Sequence, residues 1–285
     1  MLSALLAAGL ALGSAPYLSI DTTFAVSPDA RIEVENFRGS VQVRTWERDA
    51  VRIAAEHSDD DRIRIRRSGA WVRIESSGRY GPARDVDYVI TVPATAALRI
   101  TGPFSDVSVD GAGSDVVVES VRGDIHVRGG DGVVELRSVE GAVSLEGARG
   151  RITLAAVNET IRAVDLAGAV HAETVNGDVV LERIDSGDVV ASTVNGDVRY
   201  GGTILDDGRY ALKTHNGDVS IGIPEGANAT ISIATYNGEV DSALPIILTE
   251  LRRDRRFSFA VGRGTARVDL ESFNGTIRLR RPAGR

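Results

Sequence analysis

The sequence has no cysteine, which excludes disulfides, thiolate catalysis and Cys-ligated metal sites. Aromatic residues make up only 5% of its 285 residues, and no nucleophile elbow, phosphate loop or dinucleotide fingerprint occurs. The net charge of −7 argues against nucleic acid or an anionic lipid surface as a partner. What the chain does contain is 31 glycines among many small and β-branched residues. That composition is typical of a turn-rich β fold, stabilised here by hydrogen bonds and packing alone.

Residues 1–17 predict a secretory signal peptide. Leucines recur among Ala, Gly and Ser, and the small residues Gly13 and Ala15 resemble a signal-cleavage site. The segment is shorter than the roughly 20 apolar residues of a membrane span, so we expect no transmembrane segment in the mature chain. A buried N-terminal strand or helix is the alternative. We therefore predict an exported protein in the periplasm, at the cell surface or outside the cell.

Residues 18–104 show the period-two alternation of β-strands separated by short turns, which predicts an irregular N-terminal β cap. One candidate strand carries Arg62, Arg64, Arg66 and Arg67. Such a row of charges is typical of a solvated edge strand that discourages aggregation, although it could bind an anionic glycan.

Two tryptophans, Trp46 and Trp71, fall in the same region. We expect them to fill the junction between the cap and the rest of the chain. Stacking on sugars is the alternative.

From residue 105 onward the chain is a repeat. The phrase Thr-Val-Asn-Gly-Asp-Val stands at 174–179 and at 193–198, with close copies at 214–219, 235–240 and 272–277. Apolar strand starts recur at intervals of nine or ten residues, then of 21 and finally of 37. They are Val107, Val116, Ile125, Val134, Val143, Ile152, Ile161, Val170, Val179, Val189, Val198, Val219, Val240 and Ile277. Only a β pattern keeps this phase.

Other columns recur at every second unit, which indicates a coil of two units. One column is Asn158, Asn176, Asn195, Asn216, Asn237 and Asn274. Residues 105–281 therefore predict a parallel β-solenoid of about eight coils of 18–21 residues, either two-sided or triangular. Because coils stack about 4.8 Å apart, these asparagines should form a structural ladder up the stack, as should the Ser and Thr hydroxyls. We expect the valines of the phrase to fill the core, Gly to make the corner and Asp to be solvated.

The repeat is interrupted at 243–263, which predicts an inserted loop before a last coil containing Val268 and Ile277. We expect this loop to be an interaction element through Arg252, Arg253, Arg255 and Arg256. Residues 282–285 form a tail.

The sequence gives little support for a catalytic or metal-binding site. The corner acids suggest calcium, but the dense glycine repeat of calcium-binding β-rolls is absent. His57, His126, His171 and His215 lack the spacing of a zinc site. Some β-helix enzymes cleave acidic polysaccharides, but they need clefts built from long loops, and the coils here are short. We therefore predict no catalytic residues, no cofactor and no metal.

The repeated phrase resembles one family, together with Ile-Glu-Val-Glu-Asn-Phe-Arg-Gly-Ser-Val at 32–41 and Phe-Asn-Gly-Thr-Ile-Arg-Leu at 273–279. This is the bacterial "putative adhesin" β-strand-repeat family, a domain of unknown function, and the likeness covers residues 21–281. The resemblance implies an exported β-solenoid, often linked with envelope proteins and stress-response partners, and no catalytic residues. We expect a non-enzymatic module that contacts protein or glycan at the cell envelope, as a monomer or weak oligomer. The alternatives are a self-assembling scaffold and, less favoured, a polysaccharide-acting enzyme.

Overall fold

The computed structural model of the chain describes residues 17–244, 250–251 and 256–281. All regular elements in those residues are β-strands, and no helix there could cross a membrane. The first thirteen strands are β1 (Tyr17–Ala25), β2 (Arg31–Glu35), β3 (Arg38–Trp46), β4 (Ala50–Ser58), β5 (Asp61–Ser68), β6 (Trp71–Gly78), β7 (Val86–Pro93), β8 (Ala97–Gly102), β9 (Phe104–Ala112), β10 (Val116–Ser120), β11 (Ile125–Gly129), β12 (Asp131–Arg137) and β13 (Val143–Glu146). The others are β14 (Arg149–Ala155), β15 (Ile161–Val164), β16 (Ala167–Glu173), β17 (Val179–Ile184), β18 (Asp188–Asn195), β19 (Val198–Gly202), β20 (Arg209–Asn216), β21 (Val219–Gly222), β22 (Ala229–Thr235), β23 (Val240–Ser242), β24 (Glu250–Leu251), β25 (Arg256–Val261), β26 (Ala266–Asn274) and β27 (Ile277–Arg280).

These strands form two large, mostly parallel sheets, which confirms the predicted all-β, solenoid-like fold. Sheet A runs in the order β1, β4, β7, β3, β9, β11, β13, β15, β17, β19, β21, β27, β23. Sheet B runs in the order β24, β25, β22, β26, β20, β18, β16, β14, β12, β10, β8, β2, β6, β5. Each coil gives one strand to each sheet, so the coil has two sides rather than three.

The nine-residue spacing explains this alternation. From β10 to β17, corners of four or five residues lead from sheet B to sheet A and corners of one or two residues lead back, so equivalent residues meet after two units. Val116 accordingly pairs with Val134 in sheet B, and Ile125 pairs with Val143 in sheet A. Within each strand alternate side chains turn inward, and Leu136 is among those with no exposed surface. The core is the single layer of aliphatic side chains between the two sheets.

The parallel sheets continue into the region for which the sequence predicted an irregular cap. Strand β2 is parallel to both β6 and β8, and β3 is parallel to both β7 and β9. Only β1, β4 and β5 pair in antiparallel fashion at this end. Strand β5, which carries the Arg62–Arg67 row, is the last strand of sheet B, as predicted for an edge strand.

The C-terminal end differs from the sequence-based prediction in two ways. Strand β26 lies between β20 and β22, and β27 lies between β21 and β23, so the coil that is last in sequence is not last in space. The predicted loop at 243–263 is also partly a strand, because β25 extends sheet B antiparallel to β22. The predicted signal segment up to residue 16, together with Arg252, Arg253 and Arg255, lies outside the described residues. Arg256 begins β25 and is exposed.

Candidate functional site

A row of mostly apolar side chains follows one corner of the stack over the described surface. We call this row the corner stripe. It consists of Phe37, Pro103, Val121, Val139, Val157, Val175, Val194, His215, Phe273 and Tyr236, in spatial order. Ten residues at roughly 4.8 Å per coil give a stripe about 43 Å long.

Main-chain hydrogen bonds hold the corner stripe in register. The N–H that follows a stripe residue donates to the carbonyl of the stripe residue one coil below. Asn176 N lies 2.7 Å from Val157 O, and Asn237 N lies 2.8 Å from Phe273 O. The row is therefore as regular as the sheets themselves.

The stripe corrects the expectation that the valines of the repeated phrase fill the core. In the copy at 174–179, Val179 is fully buried but Val175 is 41% exposed. Strand alternation is the reason: Ala172 and Thr174 point inward, so Val175 points outward. The period-two signal was present in the sequence, and the apolar character of valine obscured it.

Beneath the stripe lies a column of hydroxyl side chains, which we call the hydroxyl column: Ser120, Ser138, Thr174, Thr193, Thr214, Ser272 and Thr235. All of them except the half-buried Thr235 are buried. They do not bond to one another as the predicted ladder required. Six of the hydroxyls instead donate to main-chain carbonyls of the neighbouring coil, whereas Thr235 Oγ1, in the outermost coil, has no hydrogen-bond partner among the described residues. Thr193 Oγ1 reaches Gly177 O at 2.9 Å, and Thr214 Oγ1 reaches Gly196 O at 2.8 Å. These hydrogen bonds give a donor to carbonyl oxygens at the ends of the strands, where the sheet pairing stops. They therefore stabilise the corner from which the stripe residues project.

Beside the stripe the six asparagines lie in one row, joined by side-chain hydrogen bonds. From Asn176 to Asn274, each Nδ2 donates to the Oδ1 of the preceding asparagine in the row at 2.8–2.9 Å, and Asn158 accepts the first of these bonds. The last bond, from Asn237 to Asn274, is longer at 3.2 Å. In space Asn274 stands between Asn216 and Asn237, so the row follows the order of the coils rather than that of the sequence.

The glycine of the phrase is required by close contact between coils. A Cβ at Gly196, where φ is +151°, would lie 2.1 Å from Gly177 O. The following aspartate is not simply solvated, which corrects the prediction. Asp178 Oδ1 accepts the main-chain N–H of Asp197, and Asp197 Oδ1 accepts that of Asp218. Glycine and aspartate therefore join successive coils at the corner.

The corner acids also meet arginines. Arg199 contacts Asp178 and Asp197, and Arg278 contacts Asp218. Burial acts to raise the pKa of Asp218, but the N–H of Thr276 and the Arg278 guanidinium outweigh it and lower the pKa. Within the described residues no three His, Asp or Glu side chains gather as metal ligands. These carboxylates are engaged in structural bonds.

At the C-terminal end the stripe becomes aromatic. The Phe273 ring stacks between His215 and Tyr236, with centroid distances of 4.7 and 4.9 Å and nearly parallel planes. Tyr236, in the outermost of these coils, is 62% exposed. The aromatic end therefore offers a broader apolar surface than the valine part.

Along its length the stripe forms one wall of a shallow groove. The valine part has a volume of about 620 Å³ and the aromatic part about 610 Å³, and Thr193 lines both. The other wall is the outward column of sheet B, which carries Arg137, Glu173, Lys213 and Glu271. An apolar stripe beside a wall of mixed charge can bind an elongated partner, and no arrangement of reactive groups among the described residues suggests catalysis.

Of the interaction residues predicted from the sequence, Arg256 lines the aromatic part of this groove. The tryptophans and the arginine row lie elsewhere. Trp71 is 51% exposed with the Arg31 guanidinium over its ring, so it does not fill a junction. Trp46 Nε1 donates to Ala50 O at 2.8 Å. Of the arginine row, Arg64 and Arg66 pair with Glu75. These groups lie toward the N-terminal end, away from most of the stripe.

Comparison with known proteins identifies the family. The family model described as Toastrack DUF4097 matches residues 23–280. No curated protein matches the chain.

Solved structures with a similar arrangement include one described as a putative adhesin from Parabacteroides merdae. It has 9% identity and a TM-score of 0.45, covering 92% of this chain and 95% of that one. A putative adhesin from Bacteroides fragilis has 12% identity and a TM-score of 0.40, covering 92% and 97%. A putative cell adhesion protein from Clostridium sporogenes has 11% identity and a TM-score of 0.28, covering 93% and 100%. With TM-scores below 0.5, none of these likenesses supports an inference about function.

Proposed function

The chain belongs to the Toastrack DUF4097 family, which matches residues 23–280, and on that premise we propose that it is an exported, non-enzymatic binding module of the cell envelope. In this proposal it acts in the manner of an adhesin and holds a protein partner along the corner stripe. The apolar segment at residues 1–17, with small residues at its end, supports export. The N-terminal strands β1, β4 and β5 and the C-terminal strand β25 would cap the stack.

The observation that carries the proposal is the exposed apolar row itself. Val121 is 48% exposed and Val194 is 43% exposed, although core positions in the neighbouring strands are fully buried. Soluble proteins rarely leave long continuous apolar surfaces uncovered unless a partner binds there. The repeat places one such side chain on every coil, which gives a linear surface rather than a pocket.

The chemistry of the valine part of the row favours protein over glycan. Valine methyl groups offer only apolar contact, whereas glycan sites combine aromatic faces with several polar groups that bind hydroxyls. The mixed charges of the facing wall, Arg137 and Glu173 among them, would provide the polar rim of a protein interface. An elongated polypeptide surface is therefore the partner that fits best.

End-to-end assembly is the weaker proposal. Strand β5, with its row of arginines, ends sheet B on one side, and the two-residue β24 ends it on the other. Charged or very short edge strands discourage the pairing of sheets between molecules.

A matched pair of double variants tests the role of the stripe. V139K/V194K places two charges on the stripe, whereas V89K/V133K places the same charges at exposed valines elsewhere. We expect the stripe variant to bind the envelope fraction of producing cells at least about tenfold more weakly, a loss of roughly 1.4 kcal/mol. The control variant should bind as the parent protein does.

Treatment of the envelope fraction identifies the class of partner. Protease treatment should abolish binding, and glycosidase treatment should leave it intact. The reverse result would point to a glycan, and equal binding by both lysine variants would refute the stripe as the site. Fractionation of cells tests export separately, since a cytoplasmic location would contradict it.

A further inference from the structure

The coil formed by β26 and β27 is the last in the sequence, yet it lies inside the stack. It fills a slot between the coil of β20 and β21 and the coil of β22 and β23. Strand β26 pairs in parallel with β20 on one side and with β22 on the other. The outer coil therefore precedes the inserted coil in the sequence, although it lies beyond it in space.

Most contacts that hold the inserted coil in the slot occur at the positions where other coils also contact one another. Ser272 Oγ donates to Gly217 O, Asn274 bonds to Asn216 on one side and Asn237 on the other, and Phe273 stacks between two rings. The hydroxyl and asparagine bonds repeat those between other coils, and the ring stacking takes the place of the valine contacts found there. The slot therefore selects a coil of this pattern and does not require that the coil come from the same molecule.

The slot can also close without the inserted coil. Lys213 and Ala234 are 21 residues apart, as are Leu212 and Ile233, so β22 has the register needed to pair directly with β20. The connecting segments support this alternative. Six residues, 203–208, carry the chain from β19 to the adjacent coil, and six residues, 223–228, carry it from β21 across two coil spacings. Six residues can span about 20 Å, enough for either one spacing or two.

The inserted coil is joined to β25 by a short arch at residues 262–265. This arch crosses the end of β22, because β25 and β26 lie on opposite sides of that strand. Its two glycines have positive φ, +59° at Gly262 and +71° at Gly264. Short, constrained connections of this kind are the hinges at which proteins exchange identical elements between copies.

A clasp of three side chains fastens the arch to two other loops. Asp206 accepts a hydrogen bond from Asn228 Nδ2 at 2.9 Å and pairs with Arg263 at 2.6 Å. Asn228 Oδ1 also accepts the main-chain N–H of Arg263. All three side chains are on the surface, so the clasp can open without disturbing the core.

From these features we propose that β26–β27 is an exchangeable coil, and that a second copy of this chain is the partner for the slot. Two chains open their clasps, and each inserts its β26–β27 into the slot of the other. The exchange forms no new kind of contact, since every bond within the slot is remade between chains. Direct pairing of β22 with β20 protects the apolar edges while the coil is outside.

The absence of cysteine allows a direct test by disulfide formation. Lys213 and Glu271 are in register on adjacent strands and face outward as an ion pair. We mix K213C and E271C chains, open the clasp by brief acidification in dilute urea, and then oxidise at neutral pH. The control pair is E119C and R137C, which has the same register relation between coils in the middle of the stack.

Exchange predicts a disulfide-linked heterodimer from K213C and E271C, at least about tenfold more abundant than the control product, because pairing within an exchanged dimer is effectively intramolecular. Adding R263A to both chains should increase the yield without acidification. A yield equal to that of the control pair would overturn the proposal.

A third variant, K213C/A234C, detects the state in which β26–β27 has left the slot of its own chain. These two positions are about 9.6 Å apart while the slot is filled, too far for a disulfide, which needs Cα atoms within about 7 Å. We expect this disulfide to form slowly under the opening conditions. If it forms but no heterodimer does, the coil leaves without exchange, and if neither forms the coil never leaves. Either result refutes exchange between copies.

Discussion

The middle of the stack and its C-terminal end use the same repeat but place it differently. From β10 to β19, each strand lies beside the strands two places before and after it in the chain. At the end, β26 takes the place beside β20 that this rule would give to β22. The repeat therefore determines that neighbouring coils have the same residue pattern. It does not determine which copy of the repeat lies beside a given coil.

The N-terminal end breaks the order in a similar way. The coil of β2 and β3 lies between the coil of β6 and β7 and the coil of β8 and β9. At each end, therefore, the coil next to the middle is followed in space by an outer coil. Antiparallel strands lie outside each outer coil. Only the middle has the simple order in which each coil follows the last.

Replacing a corner glycine should give the largest difference in the free energy of unfolding between the middle and the C-terminal end. Replacing Gly196 in the middle by Ala brings Cβ to 2.1 Å from Gly177 O, so we expect a loss of about 3–5 kcal/mol in the free energy of unfolding. Gly238→Ala at the end has an equally close contact, 1.9 Å from Gly275 O, but should loosen only the outer coil. Urea unfolding measures both variants.

A control glycine separates crowding from backbone strain. Gly147 has φ +70°, and no atom lies within 4 Å of the position that a Cβ would take there, so Gly147→Ala should cost only about 1–2 kcal/mol. If Gly196→Ala costs no more than this, the close contact between coils does not determine the choice of glycine.

Hydrogen exchange should reveal the same contrast without mutation. Amides of β16 and β18 are bonded on both sides within an unbroken stack, so they should exchange only through global unfolding. Amides of β26 should exchange through local opening, about 100-fold faster, a difference of roughly 2.7 kcal/mol. Equal protection in β16 and β26 would show that the C-terminal end does not open separately.

The sequence predicted the middle of the fold almost completely. Apolar residues every nine positions predicted the strands, and columns at every second unit predicted the pairing of Val116 with Val134. The order at the end could not be predicted, because Val240 and Ile277 follow nearly identical phrases and either coil would pair with β21. Which coil is adjacent depends on β25 and the arch, whose residues carry no repeat.

The N-terminal strands were predicted individually but not as part of the stack. Residues 31–35 alternate correctly, yet their strand is joined to its parallel neighbours by connections of irregular length, so no column signal links them. For the candidate site, alternation alone places Val175 outside. The groove beside it depends on how the corner turns between sheets, which a one-dimensional pattern does not contain.

Replacing single asparagines of the row compares the stability of the middle with that of the C-terminal end, with a smaller expected effect. Asn195 has bonds of 2.8 Å to both Asn176 and Asn216, so Asn195→Ala removes two side-chain bonds at an exposed position. We expect a loss of about 1 kcal/mol, near the net value of a typical hydrogen bond. Asn237→Ala removes one longer bond at the outer coil and should fall within about 0.5 kcal/mol of the parent. Thermal unfolding of the two variants provides the comparison, and a larger loss at Asn237 would contradict it.

The smallest effect should be a response to acid confined to the end. The pKa of Asp206 is lowered, first by the hydrogen bond from Asn228 and also by Arg263, and the pKa of Asp165 in the middle is lowered by Arg183. Because both pKa values are lower in the folded state, each contact stabilises the protein above the ordinary aspartate pKa. That contribution is lost as the pH falls through the lowered value.

The structural consequence of protonation differs between the two sites. Asp165 and Arg183 join adjacent coils that sheet pairing already holds, whereas Asp206 fastens the arch that retains β26. Acidification from about pH 6 to about pH 3 should therefore lower the protection of β26 amides, measured relative to their intrinsic exchange rate at each pH, more than that of β16 amides. Asp206→Asn should remove this acid response at β26, and Asp165→Asn should not. An unchanged acid response in the Asp206→Asn variant would show that the clasp does not hold the C-terminal coil in its slot.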